Sequence, residues 1–335
     1  MDSSTAEINT TAATTFYILS VVNFVLGIIG LAFNLLILAR PKLCRQPCSF
    51  YFFSASWYNL FIVLIVIPMR LLSNNYNLEA ANYNLGYCKI QTFFIYTIRS
   101  ISCWLIALAT IDRYLHSSSH AFLRQMSSAE SAKWAIRIIS VIMFILYCHM
   151  IVYYEISYVP NKFGTITPLC NGQSGFYRSF LNFWYMLFYS LLPSFIMVIF
   201  GCLTVRNIRQ RARIAPIAIR NVQTFKRSDA AILRMLTAQV MVIIICTVPF
   251  SAYRLYSSFT ANLTKTTYRL AQENLALQIV GGLTYFAHSS SFYMHILSST
   301  IFRKELRQIM RSCVRRRVVV PVYLHPVGQN QTSVL

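Results

Sequence analysis

Apolar residues in this chain come in long blocks rather than in alternation, and polar residues gather between the blocks. Seven blocks reach the ~20 residues that a helix needs to cross hydrocarbon: about 17–40, 48–72, 88–115, 133–154, 179–205, 230–256 and 274–298. The stretches between them are short, so the pattern predicts one all-α membrane domain, a seven-helix bundle over 17–298. Residues 1–16 form a polar segment before it. Residues 299–317 alternate basic and apolar positions, with Ile301, Phe302, Leu306, Ile309 and Met310 suited to a short helix lying on the membrane surface. Residues 318–335 are left as a tail.

The third block, Cys88 to Tyr114, organises the rest. Between Gln91 and Ile111 its only charge is Arg99. At about 100° per residue Cys88, Arg99 and Arg113 return to within roughly 40° of one face. At 1.5 Å per residue the helix is about 40 Å long, and Arg99 lies about 16 Å below Cys88, near the bilayer midplane. A stripe carrying a thiol, a buried cation and an Asp-Arg pair belongs in the middle of a bundle, away from lipid.

Composition agrees. Only 12% of residues are charged, against about 25% in soluble domains, and mean hydropathy is +0.52. The net charge of +21 would suggest nucleic acid, but its placement excludes that partner. Basic residues follow the first span (Arg40, Lys42, Arg45), fill the segment between the fifth and sixth (Arg206 to Arg227) and follow the seventh (Arg303 to Arg317). The alternate ends hold few. The positive-inside rule then puts the amino terminus outside and the carboxy terminus inside, as seven spans require. The basic loops also suit contact with anionic membrane lipid. Residues 1–15 lack a basic start, so no cleavable signal peptide is expected.

Candidate chemistry is sparse. No paired carboxylate, nucleophile elbow, phosphate-cradling glycine loop or His/Cys metal spacing is present, so no enzyme, cofactor or metal is expected. The lack of intramembrane acids also argues against an ion-coupled transporter. Of nine cysteines, Cys88 and Cys170 fall on the outer side, where oxidation favours a disulfide tying the loop after span 4 to the top of span 3. Asn34 and Asn59 are lone amides suited to hydrogen bonds between helices. Pro68 predicts a kink in span 2. Arg70 either snorkels outward or faces a pocket. The aromatic run in span 5, Phe183 to Tyr189, reads mostly as interface belt and packing, with pocket lining the lesser alternative. Asn9 and Asn262 begin sequons on the outer side, and Cys313 is either a palmitoylation site or an unmodified thiol. The last residues, Thr332 to Leu335, suit strand addition to a PDZ domain.

The triplet Asp112-Arg113-Tyr114, twenty-five residues after Cys88, in a seven-span chain of this orientation, resembles the rhodopsin-like (class A) G-protein-coupled receptors, in particular invertebrate peptide-receptor-like members. The resemblance covers roughly 17–313. It implies a bundle with a short eighth helix and a receptor that activates heterotrimeric G proteins. It matches Asn34 to the first-helix asparagine, Cys88 and Cys170 to the extracellular disulfide, and Pro193 and Pro249 to the prolines of helices 5 and 6. Phe302 matches the start of helix 8. Asp229 matches an acid that pairs with the triplet arginine in the inactive state. Several positions depart from the family pattern. Asn59 stands where an aspartate usually binds sodium, Thr247 where a tryptophan usually precedes the helix 6 proline, and Ser291 to His295 replace an Asn-Pro-x-x-Tyr motif. The fourth-helix tryptophan has no clear counterpart, Ser140 lying nearest its place.

These residues define the expected site. Arg99, with Arg70, Arg254 and Tyr253 nearer the outer ends, predicts a cationic cleft for a peptide or for a small ligand with an acidic group. The alternative is that Arg99 is only a structural partner of tyrosines and carbonyls. Ile95 fills the place of the family's amine-binding aspartate, which excludes a monoamine. Asp112, Arg113, Tyr114 and Asp229 predict the switch that couples to the G protein. A receptor for small organic acids, a ligand-gated seven-span channel, and a non-signalling decoy or scaffold are the competing readings.

Overall fold

A computed structural model describes residues 3–44, 46–76, 79–160, 166–214, 220–260 and 263–318. The chain is a bundle of seven helices that span it end to end, with an eighth beside it. They are α1 (Ser3–Leu38), α2 (Pro47–Phe61, a π-helical turn Ile62–Val66, then Ile67–Tyr76), α3 (Leu85–Ser117) and α4 (Ala129–Tyr147 with His149–Tyr153). An antiparallel hairpin follows, β1 (Tyr154–Pro160) and β2 (Ile166–Gly172). Then come α5 (Phe176–Tyr185, a π turn Met186–Leu191, then Leu192–Ile214), α6 (Arg220–Phe259), α7 (Thr267–Ser289 and Ser291–Ser298) and α8 (Thr300–Val318). Six of these are long and apolar enough to cross a membrane by length and composition. The seventh, α7, is more polar because it carries Arg269, Glu273, Thr284, His288 and His295.

The burial pattern is inverted relative to a soluble protein. Asn34, Asn59, Arg99, Asp112 and Arg113 are buried, while Ile18, Leu36, Trp57, Ile145 and Ile245 face outward. This arrangement suits a bundle whose solvent is hydrocarbon and whose polar groups satisfy one another inside. The most buried span is α3. It packs on α2, α4 and α5 and touches α6, so the stripe carrying Arg99 lies at the centre.

The prolines explain the two π turns. Proline has no N–H and its ring displaces the carbonyl four residues earlier. In α2 the Ile67 N–H reaches back to Ile62 O just before Pro68. In α5 the Leu192 N–H reaches Leu187 O just before Pro193. Each wide turn absorbs one proline, so the expected kink at Pro68 takes the form of a π bulge. Pro249 lies inside the continuous α6.

Two boundaries differ from expectation. Residues 3–16 are not a separate polar segment but the first turns of α1. Nothing in them breaks a helix, Thr10 and Thr11 return their hydroxyls to Ala6 O and Glu7 O, and Thr5, Ala12 and Phe16 are buried. α1 packs along the outer half of α7, which itself begins at Thr267 rather than 274 because the Thr266 hydroxyl caps it, accepting from the Arg269 N–H at 3.3 Å. Asn9 is therefore helical, its carbonyl oxygen accepting from Asn274 at 3.3 Å. Asn262, the Asp229 and Cys313 side chains and the tail 319–335 lie outside the described residues.

Small residues set the helix spacing at two contacts. A Cβ on Gly27 would stand 2.7 and 2.9 Å from the Val63 methyls and 3.2 Å from Ser289 Oγ, and one on Gly282 would stand 2.7 Å from Leu19 Cδ1. By contrast a Cβ on Gly281 would meet nothing within 4 Å. Gly27→Leu is expected to lower the thermal midpoint of the detergent-purified protein by several degrees, the effect of ~1–3 kcal/mol of overpacking. Gly281→Leu in the same assay should leave it unchanged; equal midpoints for both would refute this account of the α1–α2–α7 contact.

Candidate functional site

The Cys88–Cys170 disulfide, with a Cα–Cα distance of 5.7 Å, ties the hairpin to α3. The Cys170 N–H also donates to Asn82 Oδ1 at 2.9 Å. The hairpin is thereby held beside the disulfide end of the bundle, with Tyr154, Leu169, Cys170 and Asn171 forming one wall of a cleft of about 280 Å³. A second cavity of about 190 Å³ shares Arg70, Tyr96, Arg254 and Leu277 with it and includes Arg99 and Ile95. The two make an outer vestibule and an inner chamber.

Four arginines line them: Arg70, Arg178 and Arg254 the vestibule, Arg70, Arg99 and Arg254 the chamber. Among the described residues the one carboxylate lining either cavity is Glu79. It holds Arg70 at 3.8 Å and also accepts from the Ser73 hydroxyl. Arg70 thus turns into the cleft rather than snorkelling away. Arg254 donates to the Tyr96 hydroxyl at 3.2 Å. Tyr253 points sideways, its hydroxyl donating to Glu273 O at 2.8 Å.

Arg99 sits on the chamber floor and is 8% exposed. Its Nη2 donates to Thr284 Oγ1 at 2.5 Å. Its Cζ lies 5.1 Å from the Tyr285 ring centroid and 5.8 Å from that of Tyr189, distances at which a desolvated cation–π contact contributes ~2 kcal/mol or more. Among the described residues the Nε of Arg99 and the Nε of Arg254 are buried without a partner. Two cations are therefore only partly satisfied inside a cavity, an arrangement with donors left over for an acceptor.

A polar chain runs down from this floor. The Tyr189 hydroxyl lies 3.3 Å from His288 Nε2, and His288 Nδ1 lies 2.9 Å from Asn59 Oδ1. Ser102 donates to the same Asn59 oxygen at 2.5 Å. A neutral imidazole satisfies both ends, donating from Nδ1 and accepting at Nε2. One level below, His295 Nδ1 stands 2.9 Å from Asn34 Oδ1 and Nε2 2.8 Å from Gln239 Oε1, so one side chain joins α1, α6 and α7. Phe302 closes the level from α8, its ring 5.3 Å from that of His295. Ser140, in α4, meets the Tyr58 hydroxyl of α2 at 3.3 Å.

At the far end Arg113 Nη2 bonds Asp112 Oδ2 at 2.9 Å, and Ser127 donates to Asp112 Oδ1 at 2.8 Å. Both triplet charges are buried, and Tyr114 packs edge-on against Phe200 at 5.3 Å.

The structure brings Arg70, Arg99, Arg254 and Ile95 into one cavity system, with Tyr253 at its rim. It also contains the competing arrangement, since Arg99 does pair with tyrosines and a threonine. Sequence reasoning missed Tyr96, Thr284, Tyr285 and His288. It gave Tyr185 and Tyr189 mainly to belt and packing, with pocket lining the lesser reading, and both are buried beside the arginines. A signal existed in span 7: Gly281, Thr284, His288, Ser291 and His295 recur at steps of three and four, a polar stripe on one helical face.

The fold and these features define a membrane receptor of seven helices. The family described as 7 transmembrane receptor (rhodopsin family) matches residues 32–290, and the chain belongs to it; this is a family of receptors, not of enzymes. The chain is 25% identical over 295 residues to neuromedin-U receptor 2 of Mus musculus, covering 86% of this chain and 73% of that one. It is 25% identical over 321 residues to neuromedin-U receptor 1 of Rattus norvegicus, with 88% and 73% covered. It is 23% identical over 295 residues to galanin receptor type 2 of Mus musculus, with 88% and 75% covered.

At the rim, in the first turns of α7 beside the loop that holds Lys265, Glu273 accepts from Lys265 at 2.6 Å, Tyr256 at 2.9 Å and Arg269 at 3.3 Å. Burial pushes its pKa up, but the hydrogen bonds and charge of these neighbours outweigh it and hold the carboxyl below its ordinary 4.5. A depressed folded pKa contributes stability that is present above the unfolded value and lost as pH falls through the folded one. The thermal midpoint is expected to fall as pH drops below about 4.5, and Glu273→Gln should flatten that dependence. An identical acid profile in the variant would show that the cluster contributes nothing.

Proposed function

We propose that this protein is a plasma-membrane receptor that binds a ligand bearing an acidic group at its disulfide end and activates heterotrimeric G proteins at the other. The amino terminus is outside and the basic loops are inside. The reading rests on one observation above the rest: the buried, partnerless Nε atoms of Arg99 and Arg254 in a cleft lined by four arginines and one carboxylate. The cavities open beside the hairpin, so a peptide end can reach the chamber through the vestibule. Likeness to receptors named for neuromedin U and galanin supports a peptide as the bearer of that group. A small organic acid is the second reading, supported by the chamber's ~190 Å³, which is below the ~300–1,000 Å³ of most small-molecule sites.

Switching runs from Arg99 through Tyr189, His288 and Asn59 to the lower half of α3 and α7. Agonist contact with Arg99 biases this chain, α6 moves away from α3, and Arg113 is released for the G protein. Asp229 contributes to the resting state from α6. A decoy is disfavoured because Asp112, Arg113 and Tyr114 are all kept.

The experiment measures calcium and cAMP together in cells expressing the chain, against peptides with a free terminal carboxylate, their amidated counterparts and small organic acids. Arg113→Ala is the coupling control. Arg99→Gln is expected to weaken potency by about 10- to 100-fold, the value of a hydrogen bond to a charged group at ~1.5–3 kcal/mol. Gly281→Leu, which fills the chamber without disturbing packing, should do the same. An unchanged dose response in both variants at equal surface expression would overturn the acidic-ligand reading. A response that survives Arg113→Ala would overturn G-protein coupling through the triplet.

A further inference from the structure

A cavity larger than either part of the ligand cleft lies elsewhere among the described residues. It is a groove of about 640 Å³ between α5 and α6 in the half of the bundle that holds the Asp-Arg-Tyr triplet. Met197, Val198, Val205, Leu236, Val240 and Met241 form its walls, and Thr110 of α3 its floor. The hydroxyls in it are turned away: Thr110 donates to Ala107 O at 2.6 Å and Thr237 to Leu233 O at 2.9 Å. The inner surface it presents is therefore apolar. Val198 and Met241 are about half exposed, so the groove opens sideways toward hydrocarbon, not toward water.

Gly201 makes the groove. It stands within α5, where glycine costs a helix about 1 kcal/mol relative to alanine, and a Cβ there would meet nothing within 4 Å. The space is thus not used for packing against α6. From Met197 to Arg209 the lining extends about 18 Å at 1.5 Å per residue, close to one leaflet of a ~30 Å hydrocarbon core. At its mouth lie Arg206 and Arg209, both exposed and, among the described residues, without a hydrogen bond or ion pair. Asn207 between them donates to the hydroxyl of Ser117, the last residue of α3, at 3.3 Å. The mouth is therefore level with the end of α3, where headgroups lie.

We propose that this groove is a binding site for an anionic membrane phospholipid, with one acyl chain lying between α5 and α6 and the headgroup phosphate held by Arg206 and Arg209. Apolar walls one leaflet long with two uncompensated guanidiniums at the interface match both parts of such a lipid. A zwitterionic lipid satisfies the walls but leaves the arginines facing its choline. Because the groove is bounded by α5, α6 and α3, an occupied site changes the space into which α6 packs, and lipid composition becomes an input to the receptor.

The test uses the full chain, purified and reconstituted in nanodiscs of equimolar phosphatidylglycerol and phosphatidylcholine, with retained lipid counted by native mass spectrometry. Retained lipid is expected to be enriched in phosphatidylglycerol. The double variant Arg206→Gln/Arg209→Gln should cut that enrichment by roughly tenfold or more, from about fivefold per basic residue at an anionic surface. Gly201→Phe should reduce retention of both lipids. Cys202, an exposed free thiol on the lining, should react more slowly with a membrane-permeant maleimide as phosphatidylglycerol is raised. Cys148, an exposed free thiol elsewhere, reports general access and should not change. Enrichment that survives the double arginine variant places the anionic lipid elsewhere on the basic face and overturns the proposal. So does Cys202 reactivity that follows Cys148 at every lipid composition, a result that does not depend on any variant folding.

Discussion

A guanidinium near the middle of a bilayer-spanning bundle must be neutralised by its surroundings or it expels the helix that carries it. Insertion scales put the cost of Arg99 at ~2.5–3.5 kcal/mol. Two ring faces and one short hydrogen bond to Thr284 offset this, and each helix that contributes a partner is thereby fixed in rotation about its own axis. Tyr189 comes from α5 just after its π turn has begun, and Thr284 and Tyr285 come from α7. The stripe of α3 therefore sets which faces of α5 and α7 point inward. The same compensation is incomplete at Nε, and under the proposed function that shortfall is what an acidic ligand would fill.

The path below Arg99 shows how a receptor of this family holds together without the usual acid in helix 2. Asn59 has no charge to offer a cation, but its oxygen accepts from both Ser102 and His288. That oxygen is saturated by protein donors, so sodium would have to displace two hydrogen bonds to gain one neutral ligand, a poor exchange for a cation that favours charged oxygen donors. The amide of α2 and the polar stripe of α7 thus act together, since His288 is what completes Asn59.

Much of this was legible in the sequence because charge in an apolar helix is conspicuous. Arg99, the cysteine pair Cys88 and Cys170, and Asp112-Arg113 stand out against blocks of Ile, Leu and Phe, and helical geometry puts them on one face. Tyr185, Tyr189 and Tyr285 do not stand out. Tyrosine is equally at home in an interface belt and in a polar core, and only tertiary packing decides which. His288 and His295 were hidden for a different reason. Read against the expected Asn-Pro-x-x-Tyr motif, span 7 shows substitutions, and substitutions look like loss. Their function lies in partners on α1, α2, α5 and α6 that no local window contains. The start of α1 at Ser3 was missed because hydropathy finds the membrane and not the helix, and Thr- and Ala-rich turns continue a helix beyond the hydrocarbon.

The strength of the contacts limits what kind of switch this can be. His295 joins α6 to α1 and α7 through Gln239 and Asn34, and outward movement of α6 must break the Gln239 bond. Hydrogen bonds between membrane helices average ~0.6 kcal/mol and reach at most ~1.7, whereas carrying a two-state element from 1:99 to 99:1 takes ~5.5 kcal/mol. No single bond in the chain can hold the resting state, and none need be the trigger. The resting state must be the sum of several small terms: the His295 bridge, the bond between Ser190 in α5 and Thr247 in α6 at 3.2 Å, the Asp112–Arg113 pair and the packing of α5 on α6. Under the proposed function, a ligand that gains one charge-assisted contact at Arg99 supplies ~1.5–3 kcal/mol, about a quarter to a half of what is required. The remainder has to come from its contacts with the vestibule, so a fragment that reaches only the inner chamber would act as a partial agonist.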